Sequence, residues 1–344
     1  MFDSKYSFLY DYAEGMHPAI LEALQKANTD QQPGYGLDRY CMEAAALIRQ
    51  EAGNDNIDVH FAPGGTMANL TIISAALKSY ESVISAATGH IVDHETGAIE
   101  YTGHKINTVD TADGKLKPSL IQKVLDKHTD EHMVLPKLVY ISNSTEMGTI
   151  YTKEEVKELS AFCKEKDLIL FMDGARLAMA LTSKDQDLTL KDIARYTDVF
   201  YIGGTKNGGI AGEAIVLVND KLKHNFRYYL KQRGALLAKG RLFGIQFSTF
   251  FRSGLFYQLG AHANDMAYRL AEGIQKLGYE FLAPVQSNII LPVFPNDVIN
   301  ALEKEFLFYP WEKISATHSA VRLVTSWATP PEKVDEFLNL LKKI

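Results

Sequence analysis

Leu168-Ile-Leu-Phe-Met172 sets five apolar residues in succession immediately before Asp173. A strand that is apolar on both alternating faces must be covered from both sides, which a one-faced sheet cannot do. The chain repeats this device. Strands are predicted at Val59–Ala62, Ser82–Ala86, Leu138–Ser142, Leu168–Met172, Asp198–Ile202 and Ala214–Val218. Apolar residues at helical spacing fill most of the intervals, and helices are predicted at Pro18–Lys26, Cys41–Ala52 and Met67–Ser79. This alternation is an α/β pattern with a mainly parallel sheet, and such sheets gather ligands at the carboxyl ends of their strands.

Beyond about Gly254 the texture changes to a long helix, Leu259–Leu277, extended pieces at Asn288–Phe294 and Ser319–Ser326, and a closing helix from Pro331. We expect an N-terminal segment (1–30), a large domain (31–250) and a smaller C-terminal α+β domain (251–344). The 344 residues, 46% hydrophobic and 23% charged, suffice for such cores. A formal net charge of −6 without long runs of one sign argues against nucleic acid or an anionic membrane as partner and leaves small molecules. Two cysteines, Cys41 and Cys163, in helical patterns suit a reducing compartment. The start carries no basic segment followed by an apolar run, and no stretch approaches the roughly 18 apolar residues of a membrane span. The expected location is cytoplasmic.

The strand ends carry the chemistry. Lys206 follows Asp198-Val-Phe-Tyr-Ile-Gly-Gly-Thr205, and Asp173-Gly-Ala-Arg176 precedes it by about one strand–helix–strand unit. An amine at one strand end can condense with an aldehyde cofactor, while a carboxylate at the neighbouring end holds a pyridinium nitrogen protonated. Taken singly, Lys206 also reads as a loop lysine and Asp173 as a helix cap. Gly64-Gly65-Thr66, between a strand and a helix, offers free N–H groups and a hydroxyl to a phosphate, or simply makes a tight turn. His90, in Thr88-Gly-His90-Ile-Val-Asp-His94-Glu95, can lie over a planar ring, a place His94 could also take. Arg176 can clamp a carboxylate in bidentate fashion. Arg322, inside the apolar stretch Ala320–Thr325, needs an anionic partner, either an internal acid or a substrate.

From about Tyr35 to Trp327 these elements, in this order, resemble the low-specificity threonine aldolase branch of the fold-type I pyridoxal-phosphate enzymes, within the β-eliminating lyase group. The resemblance implies the pyridoxal-phosphate transferase-like fold and pyridoxal 5'-phosphate as cofactor. Lys206 would be the Schiff-base lysine, Asp173 the pyridine-nitrogen partner and His90 the ring stacker. Gly65 and Thr66 would hold the phosphate, with Thr205 beside the lysine. Arg241, in Lys239-Gly-Arg241, matches the arginine near the phosphate; Arg176 and Arg322 would bind the amino-acid carboxylate. Tyr35 and Asp38, in Tyr35-Gly-Leu-Asp38, match a Tyr-Gly-x-Asp loop that borders the substrate. No metal ligand is assigned.

The chain departs from the pattern in three places. Tyr10-Asp11-Tyr12-Ala13-Glu14-Gly15 stands where a Ser-Asp-Thr segment is usual, Thr205 replaces a serine, and Ser142-Asn-Ser144-Thr-Glu146 carries Ser144 for an asparagine and Glu146 for a histidine near the substrate hydroxyl. A proton acceptor for the β-hydroxyl governs carbon–carbon cleavage, so Glu146 joins the candidate catalytic residues. The expected reaction is cleavage of 3-hydroxy amino acids, L-threonine or L-allo-threonine, to glycine and an aldehyde. The rivals are β-elimination or transamination on the same cofactor, and a non-catalytic α/β protein holding a phosphate ligand at Gly64–Thr66. A homodimer or homotetramer is expected from the resemblance.

Overall fold

The computed structural model describes residues 5–344, so the first four residues of the 1–30 segment lie outside the described residues. A short strand, β1 (Tyr6–Ser7), opens the described chain. The large sheet follows: β2 (Asp58–Ala62), β3 (Glu81–Ala86), β4 (Ile106–Val109), β5 (Leu135–Ser142), β6 (Ile169–Asp173), β7 (Val199–Gly203) and β8 (Glu213–Leu217). Its order is β2-β8-β7-β6-β5-β3-β4, and only β8 runs against the rest. The segment between Gly203 and Glu213 is too short for a crossover helix, so the chain must return as an antiparallel neighbour.

The unbroken apolar runs are explained by two cores. Leu170 and Met172 of β6 face one cluster, with Ile48, Leu159 and Phe247 from the helices Arg39–Ala52, Lys153–Glu165 and Arg241–Arg252. Phe171 faces the other, with Tyr140, Tyr201 and Ile72 from the helix Gly65–Ala76. Strands β3, β7 and β8 are buried along their whole length. Burying the side chain of each such residue is worth roughly 1.5–3 kcal/mol, so the alternation of faces fixes the register. The helix Arg241–Arg252 is an addition to the sequence-based expectation. It packs on Arg39–Ala52 so closely that a Cβ on Gly244 would stand 2.3 Å from the Cys41 nitrogen.

The long helix Leu255–Lys276 leads to a small antiparallel sheet of β9 (Ile289–Ile290), β10 (Val293–Pro295), β12 (Tyr309–Lys313) and β13 (His318–Val324), while β11 (Phe306–Leu307) pairs with β1. Phe8 packs edge-on against Phe337 with ring centroids 5.7 Å apart, inside the C-terminal core. Its carbonyl accepts from the Val324 N–H at 2.9 Å. Residues at the start of the chain are therefore fastened to the small sheet, and the segment that follows delivers Asp11 to the seam beside the large sheet. No helix among the described residues is long and apolar enough to cross a membrane.

Candidate active site

One edge of the large sheet collects the chemistry because its parallel strands all end there. Strand β2 leads to Gly64–Thr66, β3 to His90, β5 to the Ser142–Glu146 loop, β6 to Asp173 and β7 to Lys206. Strand β8 runs the other way, so it contributes its first residue, Glu213, which pairs across with Ala62 and Gly203. An inner cavity of about 290 Å³ is lined by Gly65, Thr66, Asp173, Thr205, Lys206 and Glu213. An outer cavity of about 610 Å³ shares His90, Glu146, Arg176 and Lys206 with it and adds Tyr10, Tyr309, Trp311 and Arg322.

Asp173 is buried, and each of its oxygens is held. Oδ2 accepts from the Tyr140 hydroxyl at 2.5 Å and from the Asn69 amide at 3.2 Å, and Oδ1 from the Ala175 N–H at 2.9 Å. The turn after it admits only glycine at 174, where a Cβ would meet the Tyr201 carbonyl oxygen at 1.9 Å. Burial pushes the Tyr140 and Tyr201 hydroxyls well above their usual range, with the Asp173 charge adding to it, so both stay donors toward the carboxylate.

A chain of contacts runs from Asp173 to His90. Asn69 donates to the Glu95 carboxylate at 2.7 Å, and Glu95 meets His90 Nδ1 at 2.8 Å. With Nδ1 so engaged, Nε2 is the free nitrogen of the imidazole. His94, the other candidate, is exposed, with its ring centroid 5.7 Å from that of His90, and lines only the outer cavity. Glu146 accepts from the His90 backbone N–H and from the Ser142 hydroxyl, each at 2.9 Å. Burial raises the Glu146 carboxyl above the ordinary range, and the Asp173 charge adds to it.

Lys206 stands between these groups on a single 3-10 turn, Thr205–Asn207. Burial and then the Arg176 charge hold its amine below the usual lysine range, against the opposing pull of Asp11, Asp173 and Glu213. A larger share of neutral, nucleophilic amine follows.

The two candidate carboxylate binders differ. Arg176 already grips a carboxylate: Nε donates to Asp11 Oδ2 at 2.6 Å and Nη2 to Oδ1 at 3.0 Å, with Asn288 adding a third donor to Asp11 at 3.0 Å. Burial would raise the Asp11 carboxyl, but the Arg176 and Lys206 charges outweigh it and hold it below the ordinary range. Arg322 has no such mate among the described residues. Its Nε is buried without a hydrogen-bond partner, its guanidinium lies 6.0 Å from the Trp311 ring centroid, and burial, with the Arg176 charge, pushes it down to about 10.

Three further residues, Arg241, Tyr35 and Asp38, lie away from these cavities in the single chain. Arg241 donates to the carbonyls of Asn28 and Asp30 and borders a separate surface pocket, and Tyr35 lies under the Lys231 amine, 4.4 Å from its ring centroid. Asp38 caps the helix Arg39–Ala52 through the Cys41 N–H at 2.9 Å. Sequence reasoning passed over Asn69, Glu95, Tyr140 and Glu213. For Glu213 a signal existed: a charged residue opening the apolar run Glu213-Ala-Ile-Val-Leu217 needs a partner, as Arg322 does.

The residues present fit a phosphate-bearing aldehyde with a ring nitrogen. The Gly64 cap of the helix Gly65–Ala76 carries no side-chain hydrogen bond, leaving its first N–H groups to a phosphate. Asp173 would suit a protonated ring nitrogen and Lys206 the aldehyde. Residues 8–295 match the family of beta-eliminating lyases. The chain is 35% identical to a low specificity L-threonine aldolase of a Pseudomonas species, over 98% of this chain and 97% of that one. A threonine aldolase structure from Leishmania major is 50% identical, with a TM-score of 0.97 over 98% of this chain and 99% of that one. At the level of fold alone, an aspartate aminotransferase of Thermus thermophilus superposes with a TM-score of 0.74 at 14% identity, covering 99% and 91%.

Proposed function

This chain belongs to the beta-eliminating lyase family, and from that premise we propose that it is a pyridoxal-phosphate-dependent aldehyde-lyase that cleaves L-threonine, L-allo-threonine and related 3-hydroxy amino acids to glycine and an aldehyde. The observation that carries the reading is the gathering of Lys206, Asp173, His90 and the Gly65–Thr66 turn around one cavity, with the unpartnered Arg322 at its mouth.

When bound, the cofactor supplies a ring that withdraws the electron pair released at the substrate Cα. The chain's residues do the rest. Lys206 would be the amine that holds the aldehyde, Asp173 the carboxylate that meets the ring nitrogen, and His90 the imidazole beside the ring. Gly65, Thr66 and Thr205 would hold the phosphate. Arg322 binds the substrate carboxylate through its buried, free Nε. Arg176, two of whose nitrogens serve Asp11, adds its remaining N–H groups on the same side. Together they would fix the substrate's orientation, which selects the bond that breaks.

Glu146 receives the β-hydroxyl proton. Its raised pKa brings the carboxylate closer to the basicity that general-base transfer at neutral pH requires, and the His90 N–H and Ser142 hydroxyl aim it. We assign the chain to the cytoplasm, in keeping with the free, buried Cys41 and Cys163. Assembly as a homodimer or homotetramer is part of the same reading, since the exposed Tyr35, Leu37 and Met42 lie together around a second surface pocket and offer an apolar contact.

Purified protein tests the proposal. The parent should show the yellow band near the roughly 420 nm expected of a lysine-bound pyridoxal cofactor, and Lys206→Ala should be colourless. Incubation with either threonine epimer should release acetaldehyde and glycine; a 2-keto acid with ammonia would instead establish elimination, and equal spectra for parent and variant would reject the cofactor.

A further inference from the structure

Glu213 has no part in the roles assigned above, yet it is a buried carboxyl group whose two oxygens both serve the turn that carries Lys206. Oε2 accepts from the Gly204 N–H and Oε1 from the Thr205 hydroxyl, each at 2.9 Å. Thr205 Oγ1 accepts in turn from the Gly212 N–H at 3.1 Å. A hydroxyl has one proton to give. While Glu213 is ionised that proton is committed to it, and Thr205 has none for a phosphate in the inner cavity that Thr205, Thr66 and Glu213 line together. A phosphate dianion brought beside this carboxylate would also repel it.

We propose that Glu213 takes up one proton from solvent as a phosphate monoester enters the cavity, and that this turns the Thr205 hydroxyl from Glu213 toward the phosphate. In the loaded state Glu213 Oε1–H donates to Thr205 Oγ1, which still accepts from Gly212 and now gives its own proton to a phosphate oxygen. Each lone pair and proton of the hydroxyl is then used, and the Gly204 bond is untouched. The groups facing Glu213 are the Lys206 amine, Asp173 and the Tyr201 hydroxyl. Burial already pushes Glu213 up to about 8, against the Thr205 and Gly204 donors and the Lys206 charge, so the uptake is read above that pH, where the group is ionised before loading. The inference rests on the pyridoxal-phosphate reading.

The test titrates the full-length chain, stripped of cofactor, with pyridoxine 5'-phosphate, which has the ring and phosphate but no aldehyde to react with Lys206. At pH 9 this phosphate is already a dianion, its second pKa being about 6. Calorimetry in buffers of different ionisation enthalpy should record proton uptake that exceeds the uptake by Glu213→Gln by close to one proton per chain. Affinity should fall by up to roughly tenfold per pH unit above the Glu213 pKa. In Glu213→Gln the amide reproduces the protonated acid, so uptake should fall by close to one proton per chain and affinity should lose the matching part of its pH dependence. On the parent alone, infrared difference spectra should gain a protonated-carboxyl band on loading. Binding without proton uptake, or uptake unchanged in Glu213→Gln, overturns the relay while leaving the cofactor intact; failure of the probe to bind overturns both.

Discussion

Arg176 and Arg322 reach the same cavity from opposite parts of the molecule, and they arrive in different states. Arg176, at the end of β6 in the large sheet, is buried and locked in a bidentate pair with Asp11. Arg322, on β13 of the small sheet, keeps a buried nitrogen with no hydrogen-bond partner among the described residues. Burying a charge is costly unless it is paired, so the first arginine is largely satisfied within the fold and the second leaves a nitrogen for the anion we propose it binds. The comparison separates an arginine that also holds the seam together from one left to the proposed substrate alone.

The largest expected effect comes from breaking the finished pair. Asp11→Ala leaves the Arg176 guanidinium buried and uncompensated, and should cost about 3–5 kcal/mol of stability, read as a lower denaturation midpoint. If the variant melts with the parent, the pair is not structural.

Next comes the open arginine. Arg322→Met should leave the melting temperature near that of the parent but lower kcat/KM by roughly 10- to 100-fold through KM, the loss of a charged hydrogen-bonding partner worth about 1.5–3 kcal/mol. Arg322→Lys restores charge without the planar fork and should recover only part of it. A loss of kcat at constant KM would assign Arg322 to the chemical step instead.

Acid provides a third, smaller lever. The folded Asp11 carboxyl titrates below its ordinary value, so its contribution to stability is in place above the unfolded pKa of about 4 and is lost as pH falls through the folded one. The parent should therefore lose more stability than Asp11→Asn on acidification below about pH 4; parallel pH profiles would remove the ion pair from the account. The smallest effect is expected at the mouth. Tyr309→Phe removes a hydroxyl contact to Tyr10 of 2.7 Å at an exposed site and should change stability by about 0.5 kcal/mol or less. A larger loss would mean that the two tyrosines brace the small sheet against the opening segment.

Much of the sheet edge was legible because the signals are local. The five-residue apolar run before Asp173 and the glycines around Lys206 mark strand ends whichever way the chain folds, and a mainly parallel sheet sends such ends to one side. Arg322 was marked by the cost of a lone charge in an apolar strand. Its partner could not be read, since an internal acid and a substrate satisfy that cost equally. Asp11 was visible only as part of an unusual opening segment, and nothing near it in sequence says that β1 would join β11, or that Arg176 would close on it 165 residues away.

Periodicity and strand-end chemistry, carried by neighbours along the chain, determined the two-sided sheet and the positions of Lys206, Asp173 and Gly65–Thr66. Tertiary structure alone decided that β8 runs backward and brings Glu213 to the lysine, that Asn69 and Glu95 link Asp173 to His90, and that one arginine is filled while the other is free. These outcomes depend on pairing between distant segments, where desolvation makes each buried charge find whichever partner the packing brings within reach.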